Sequence, residues 1–346
     1  MSAEAGPRAD LQLPDAALAD YLARHLPGFR GPLVSRKFTG GQSNPTYRLQ
    51  AASGDYVLRR KPPGKLLGSA HAVDREFRVL QALHGGAVPV AQPLHLCADE
   101  SVIGSMFYVM AYVDGTVNWD PALPERTPAE RAAAYDAVLQ TLAAIHAVEP
   151  KAVGLADFGK PGNYFARQTA RWSEQYRASE TRAVPAMDAL IARLPERCPA
   201  DDGVSALVHG DFRIDNLLFA PDLSRVLAVV DWELSTLGHP LADLGYFCMA
   251  LRLPRNPALP GLAGLDRAAL GIPDEQSLVA RYAELSGRAP PQDWPFVLAF
   301  SFFRLAAIAQ GVAKRAEQGN ASSEQAQQAG RMVDLLANMG LESLDG

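Results

Sequence analysis

Hydrophobic positions in this chain recur at two periods, and the period changes about a third of the way along. Between Pro14 and Leu26, the residues Leu18, Tyr21, Leu22 and His25 fall on one helical face and predict a first helix. Three strand-like runs follow at Leu33–Phe38, Thr46–Gln50 and Tyr56–Arg60, the first two separated by Gly40, Gly41 and Asn44. A second helix is predicted with Ser69 as its cap and Val73, Phe77, Leu80 and Leu83 as its apolar stripe, ending at Gly85-Gly86. The runs Leu94–Cys97 and Met106–Tyr112 complete a small antiparallel sheet served by one helix.

Past Asp114-Gly115 the period becomes helical. Thr127-Pro128 followed by Glu130 has the spacing of a capping box, and it opens a long helix with Tyr135, Val138, Leu142 and Ile145 on one stripe. Further helices are predicted near 163–178, 186–194, 240–252, 275–286, 294–317 and 323–339. One β-rich stretch, 205–231, interrupts them. The expectation is a two-lobed α+β fold, with residues 1–112 forming a β-rich lobe and residues 113–346 a mostly helical one.

Composition narrows the class. With 48% hydrophobic and 21% charged residues in 346, the chain can bury a large core and is not disordered. Cys97, Cys198 and Cys248 are odd in number and far apart, which argues against a disulfide framework or a cysteine zinc site and favours a reducing compartment. The longest uncharged apolar run, Trp294 to Phe303, stops at Arg304 and is about half of a membrane span, so it reads as a core helix. MSAEAGPRAD lacks the apolar segment of a secretory signal, so the expected location is cytoplasmic, with no membrane partner. A net charge of −5 argues against a nucleic-acid partner. That total hides an asymmetry: residues 1–112 carry 12 Lys and Arg against 9 Asp and Glu, whereas residues 113–346 carry 21 against 29.

The chemistry concentrates in Leu207-Val-His209-Gly210-Asp211-Phe-Arg213-Ile-Asp215-Asn216-Leu-Leu-Phe219, which sets an Asp and an Asn five positions apart between strand-forming runs. A second apolar run, Val226–Val230, ends in Asp231-Trp232-Glu233. Phosphoryl transfer calls for a carboxylate that accepts the hydroxyl proton and for oxygen donors that hold Mg²⁺ on the nucleotide phosphates. Asp211 suits the first role, and Asn216 and Asp231 suit the second. Glu233 is a further candidate donor. Taken singly, each of these residues fits an ordinary turn that bonds its own backbone; the ordered set is what carries the reading.

The order His209-Gly-Asp211…Asn216…Asp231 resembles the catalytic loop and metal site of the aminoglycoside phosphotransferase and choline kinase group, small-molecule kinases with a protein-kinase-like fold. Phe38–Tyr47, Tyr56–Lys65, His209–Asn216 and Gly238–Leu244 further resemble the kinase domain fused to acyl-CoA dehydrogenases and its stand-alone bacterial relatives. The resemblance spans about residues 33–250. It implies an ATP- and Mg²⁺-dependent kinase in which Gly40, Gly41, Ser43 and Asn44 lie in the loop over the ATP phosphates. It also implies that Glu76 pairs with the basic residue of the third strand. Here that residue is Arg59 where kinases at large have Lys, a change that is not neutral. Met110 would face the adenine, and the backbone of Ala111 and Val113 would bond its edge. His209 and Asp243 would brace the loop.

Rival signatures are absent: neither GxxxxGK[ST] nor HExxH, GxSxG or GxGxxG occurs. The implied acceptor is a small-molecule hydroxyl, on a hydroxy acid or hydroxyacyl-CoA. A predicted helix at 163–176 offers Tyr164, Gln168, Arg171, Trp172 and Gln175 on one face, which makes Arg171 and Trp172 candidates for substrate contact. The same residues also fit a core Trp172 with the arginines along the surface. Two alternatives stay open, an aminoglycoside- or choline-type acceptor suited to the acidic lobe and a nucleotide-binding pseudokinase or regulatory module. A homodimer is compatible with the sequence.

Overall fold

In a computed structural model, which describes residues 12–38, 44–62, 72–256, 259–315, 317 and 323–346, the chain clusters into two compact units. The first takes the described residues up to Thr116 with 217–221 and 226–234; the second takes 117–216, 222–225 and 235–346. The sequence suggests a single cut after residue 112. The hairpin near 217–230 groups instead with the first unit, where the Val229 N–H donates to Pro89 O at 2.9 Å.

In chain order the elements are α1 (Asp15–His25), β1 (Leu33–Lys37), β2 (Thr46–Ala51), β3 (Gly54–Arg60), α2 (Val73–Leu83), β4 (Pro93–Cys97), β5 (Phe107–Ala111) and β6 (Thr116–Val117). Then come α3 (Pro128–His146), α4 (Tyr164–Ser179), α5 (Pro185–Arg197), β7 (Ala206–Val208), β8 (Leu217–Phe219), β9 (Val226–Val229) and β10 (Thr236–Gly238). The chain ends with α6 (Leu241–Cys248), α7 (Arg267–Leu270), α8 (Glu275–Ser286), α9 (Trp294–Arg315) and α10 (Ser323–Asp345). An α+β architecture with a small antiparallel sheet and a helical remainder is therefore present, as expected.

The first unit is built on an antiparallel sheet of order β1-β2-β3-β5-β4. Leu18 and Leu22 of α1 pack with Leu49, Leu58, Phe107 and Val109 from the strands. Register then does something for the chemistry. Arg59 on β3 lies opposite Thr46 on β2 and Tyr108 on β5, so three polar side chains stand in one rung on one face. Helix α2 brings Glu76 to that rung. The helix begins at Val73 with Ala72 at its N-cap and no side-chain cap; Ser69 lies outside the described residues.

In the second unit, the Thr127 capping box forms as the spacing predicts: the Glu130 N–H donates to Thr127 Oγ1 at 3.3 Å, and the Thr127 N–H donates to Glu130 Oε2 at 2.8 Å. Helix α9 is the centre of the core, with Phe296, Val297, Phe300, Phe302 and Phe303 buried in one cluster with residues of α4, α6 and α10. Where one helix over 240–252 is expected, α6 stops at Cys248 and tightens into a 3₁₀ turn at Met249–Leu251. The elements β10 and α7 are three and four residues long, too short to impose a visible period.

Close approach of α6 to α9 depends on Gly245, where a Cβ would sit 2.5 Å from Val297 Cγ1 and 3.2 Å from Val297 O. Gly245→Ala therefore overpacks this contact, and thermal or urea unfolding should show a loss of about 1–3 kcal/mol. Gly330 in α10 faces open space, and Gly330→Ala should instead gain about 0.5–1 kcal/mol through helix propensity. A gain at position 245 would show that the α6–α9 contact is looser than described.

Candidate active site

In the first unit, four charged side chains converge on the rung set by the sheet register. Arg59 Nε lies 2.8 Å from Glu76 Oε2 but has no directed hydrogen bond, so this contact is an ion pair. Arg59 Nη2 bonds Asp231 Oδ1 and lies 3.6 Å from Glu233 Oε2, while Nη1 donates to Thr46 Oγ1 at 3.3 Å. Tyr108 Oη donates to Glu76 Oε2 at 3.2 Å, and Asn44 Nδ2 donates to Glu76 Oε1 at 2.8 Å and Glu233 Oε2 at 3.3 Å. Glu76 is 1% exposed and Arg59 7%, so Coulomb terms here are far less screened than at a surface.

Burial alone would lower the Arg59 pKa, but the carboxylates of Glu76 and then Asp231 outweigh it and hold the guanidinium firmly charged. Burial pushes the Glu76 carboxyl upward, with Arg59 pulling it partly back. Burial likewise raises the Tyr108 phenol well above its usual range, which keeps it a donor. Oxygen atoms of Glu76, Asp231 and Glu233 all lie within 4.8 Å of one another. Three carboxylates face one guanidinium, so the cluster carries a formal −2 and a set of hard oxygen donors, which fits a divalent cation. Asp231 also has φ 65°, a left-handed conformation uncommon for a residue with a Cβ and often found where function fixes the backbone.

Several residues chosen from the sequence sit differently from expectation. Asn44 is wholly buried and its amide serves the two glutamates, so it is not placed as a phosphate-facing loop residue. Gly40, Gly41 and Ser43 lie outside the described residues. The Ala111 N–H, assigned to the adenine edge, instead donates to Gln92 O at 2.9 Å, because pairing with the strand edge ahead of β4 continues to that point. The Val113 carbonyl accepts from the Gly115 N–H at 3.1 Å, and Met110 is buried within β5.

In the second unit, β7 pairs with β10 and delivers the chain into the His209–Asn216 loop. Asp243 on α6, with no exposure, accepts from the His209 N–H at 2.6 Å and the Gly210 N–H at 2.8 Å. His146 Nε2 lies 3.3 Å from the same carboxylate, and its Nδ1 bonds Tyr282 Oη at 2.7 Å. Arg304 Nη2 donates to Gly210 O, with its guanidinium 5.5 Å from the Trp172 ring and 5.3 Å from the Tyr246 ring. The Asp211 N–H donates to His209 Nδ1 at 3.2 Å, which puts a neutral ring's proton on Nε2. Asn216 Nδ2 donates to Asp211 O at 2.8 Å and to Asp211 Oδ2 at 3.1 Å, and the Tyr246 side chain also bonds Asp211. Asp211 is thus a partly exposed carboxylate oriented on two sides.

The substrate face proposed on α4 has a different phase. Its buried stripe is Tyr164, Phe165, Thr169, Trp172 and Tyr176, while Arg171 and Gln175 are exposed. Trp172 packs in the core with α9, and the exposed Arg171 keeps only its guanidinium near that ring, 5.7 Å from the centroid. Sequence reasoning passed over Tyr108, His146, Tyr246 and Arg304. Only Arg304 left a signal, a lone charge at the end of a ten-residue apolar run. A cavity of about 580 Å³ elsewhere in this unit is walled by Tyr164, Phe165, Asp202, His239 and Arg288 among others, and no residue of the 209–216 loop lines it.

Residues 35–285 match the profile of the phosphotransferase enzyme family. A candidate aminoglycoside phosphotransferase from Ralstonia eutropha JMP134 is 49% identical in its crystal structure, with TM-score 0.87 over 96% of this chain and 99% of that one. An aminoglycoside phosphotransferase variant crystallised with ADP and hygromycin B shares the fold at 16% identity, with TM-score 0.59 over 93% of this chain and 97% of that one. Acyl-CoA dehydrogenase family member 10 of Mus musculus is 47% identical over 334 residues, 96% of this chain but 31% of that protein. Across the curated relatives the chain spans less than half of their length.

Burial alone would raise the Asp243 carboxyl, but the His146 contact and the Gly210 N–H hold it below the usual carboxylate range. A depressed folded pKa stabilises above the unfolded value of about 3.9 and is lost as pH falls through the lowered value. Acid unfolding of the wild type should therefore steepen below about pH 4, and Asp243→Asn should flatten that limb. Asp243→Ala, which strands two N–H donors and a histidine, should cost about 3–5 kcal/mol. An unchanged acid limb in Asp243→Asn would remove Asp243 from this role.

Proposed function

Because the chain belongs to the phosphotransferase enzyme family, we propose that it transfers the γ-phosphoryl group of ATP, with Mg²⁺, to a hydroxyl of a small-molecule acid or of its acyl thioester. The observation that carries this reading is the orientation of Asp211, whose carboxylate is held by Asn216 and Tyr246 while remaining partly exposed. A fixed carboxylate beside an incoming hydroxyl can take its proton as the oxygen bonds to phosphorus, and ADP leaves with the electron pair of the broken P–O bond. In the first unit Asp231 is the oxygen donor that would hold Mg²⁺, which supplies charge neutralisation on the phosphates when bound. The three-carboxylate cluster around Asp231 supports that assignment, and Arg59 keeps it from being a purely repulsive group of anions. An acyl acceptor is favoured by similarity to proteins named as acyl-CoA dehydrogenase family members.

One observation favours a second reading. Residues 113–346, which include Asp211, carry 29 Asp and Glu against 21 Lys and Arg, a balance suited to a cationic acceptor of the aminoglycoside or choline kind.

ADP release measured with hydroxy acids, their CoA esters, aminoglycosides and choline separates these readings. Hydroxy acids or their esters should give the highest kcat/KM, and Asp211→Asn should lower kcat by about 10²–10⁴-fold while ATP still binds. Faster turnover of the cationic acceptors would favour the second reading. ATP binding with no transfer to any acceptor, indifferent to Asp211→Asn, would make the protein a nucleotide-binding regulatory module. Asp231→Ala should in turn raise the Mg²⁺ concentration needed for half-maximal rate, and an unchanged Mg²⁺ dependence would remove Asp231 from the metal site.

A further inference from the structure

We infer that a narrow apolar slot against the Asp211–Asn216 loop receives a short aliphatic segment of the acceptor; this rests on the acyl-acceptor reading above and specifies it. One wall of the slot is the loop itself, through Arg213, Ile214 and Asp215, and another is Tyr246, the residue bonded to Asp211. Phe247, Met249, Leu251, Leu253, Leu259 and Leu262 form most of the remainder, so a group that enters past Tyr246 meets almost only carbon. The two charges in the wall neutralise each other: Arg213 Nε and Nη2 bond Asp215 at 2.9 and 2.5 Å. Among the described residues of the wall no unpaired charge therefore offers itself to a polar ligand. A polyhydroxylated, cationic acceptor would lose its hydration there with nothing in return.

The walls are also held in place. Arg255 bonds the Asp120 carboxylate at 2.7 and 2.6 Å and the Gly261 carbonyl at 3.1 Å, pinning the segment beside Trp119 and Pro121 to the one carrying Leu259 and Leu262. Tyr135 Oη donates to Pro121 O at 2.8 Å behind them. A preformed, mostly apolar cleft of this kind favours an apolar occupant. Its size sets the occupant's length. The slot offers about 40 Å³. A water-sized sphere needs about 10–15 Å³, so the slot has room for about three such spheres and admits at most roughly three carbons in single file. Trp119, 61% exposed, stands at the outer edge, where a longer chain would emerge.

The test follows a series of straight-chain hydroxy acids that differ in the number of carbons beyond the hydroxyl carbon. For the wild type, kcat/KM should rise about four-fold per added carbon, the equivalent of about 0.8 kcal/mol, over roughly three carbons and then level off. Ala250→Phe fills the slot and Leu259→Ala enlarges it. The first should abolish the chain-length gain, and the second should extend it by one or two carbons; circular dichroism and melting temperature establish that both fold. Calorimetric titration of the wild type and Ala250→Phe with propanoate to octanoate, none of which carries a hydroxyl, reads the slot without turnover. Alkanoate affinity that grows with length only in the wild type, with no turnover of hydroxy acids, would keep the slot and overturn the acceptor reading. Turnover of hydroxy acids with no dependence on chain length, and equal alkanoate binding in Ala250→Phe, would overturn the slot and leave the acceptor reading intact.

Discussion

Everything in the second unit's loop depends on one buried carboxylate. Moving an ion the size of a carboxylate out of water costs several kcal/mol even after the protein relaxes, so an anion with no exposure persists only where donors surround it. Asp243 is surrounded by two consecutive backbone N–H groups and the ring of His146. Those donors belong to His209 and Gly210, the two residues that lead into Asp211. Satisfying Asp243 therefore fixes the direction in which the loop leaves β7. Gly210 also has φ 84°, a conformation in which a Cβ would be strained, so the glycine of the His-Gly-Asp triplet has a backbone reason to be there. Its carbonyl is taken by Arg304, so a buried anion on α6 and a buried cation on α9 grip adjacent peptide groups.

Arg59 does the corresponding work in the first unit, and its geometry explains why arginine stands where lysine is usual. Nε faces Glu76, Nη2 reaches Asp231 and Glu233, and Nη1 donates to Thr46. A lysine ammonium has three donors, but all on one nitrogen at the end of a flexible stem, so it cannot reach partners spread along a planar fork as the three guanidinium nitrogens do. The rung Thr46–Arg59–Tyr108 supplies the platform, because residues paired across antiparallel strands put their side chains on one face. Asn44 and Tyr108 then give Glu76 neutral donors, which lets a carboxyl raised by burial stay compatible with its neighbours.

What could be read from the sequence was what local spacing encodes. Asp211, Asn216 and Asp231 stood out because their order and the apolar runs beside them are properties of adjacent residues, and the capping box at Thr127 was legible for the same reason. The roles of Asn44 and Tyr108 were not, since they arise from strand register and from the turn after β9, which join residues up to 189 positions apart; Glu233 was legible only as a further candidate donor beside Asp231. On α4 the helical period was right and its phase was wrong. Two arginines and two glutamines suggested a mixed face, whereas packing on α9 turned Phe165, Thr169 and Tyr176 inward with Tyr164 and Trp172. Arg304 was visible as a charge that ended an apolar run. Helix α9 continues through it, and a buried guanidinium with a carbonyl acceptor and two aromatic rings is a reason for a charge inside such a helix that hydropathy cannot express.

The two acidic centres differ in how completely their charge is met, and that difference separates architecture from chemistry. Around Asp243 the carboxylate is matched donor by donor inside a closed core, and any further cation would have to displace a backbone N–H. Its lowered pKa reflects a charge already stabilised. Around Asp231 three carboxylates share one guanidinium, with Asp231 and Glu233 still partly exposed, so a formal excess of negative charge remains. Like charges held within 4.8 Å of one another in a half-buried setting repel, and the single Arg59 guanidinium offsets only part of a formal −3. Fold stability alone gives no reason to keep such an excess, since replacing one acid by an amide would relieve it. An excess of hard oxygen donors beside a residue with strained backbone is, by contrast, what a site that must take up and release a metal–nucleotide pair requires.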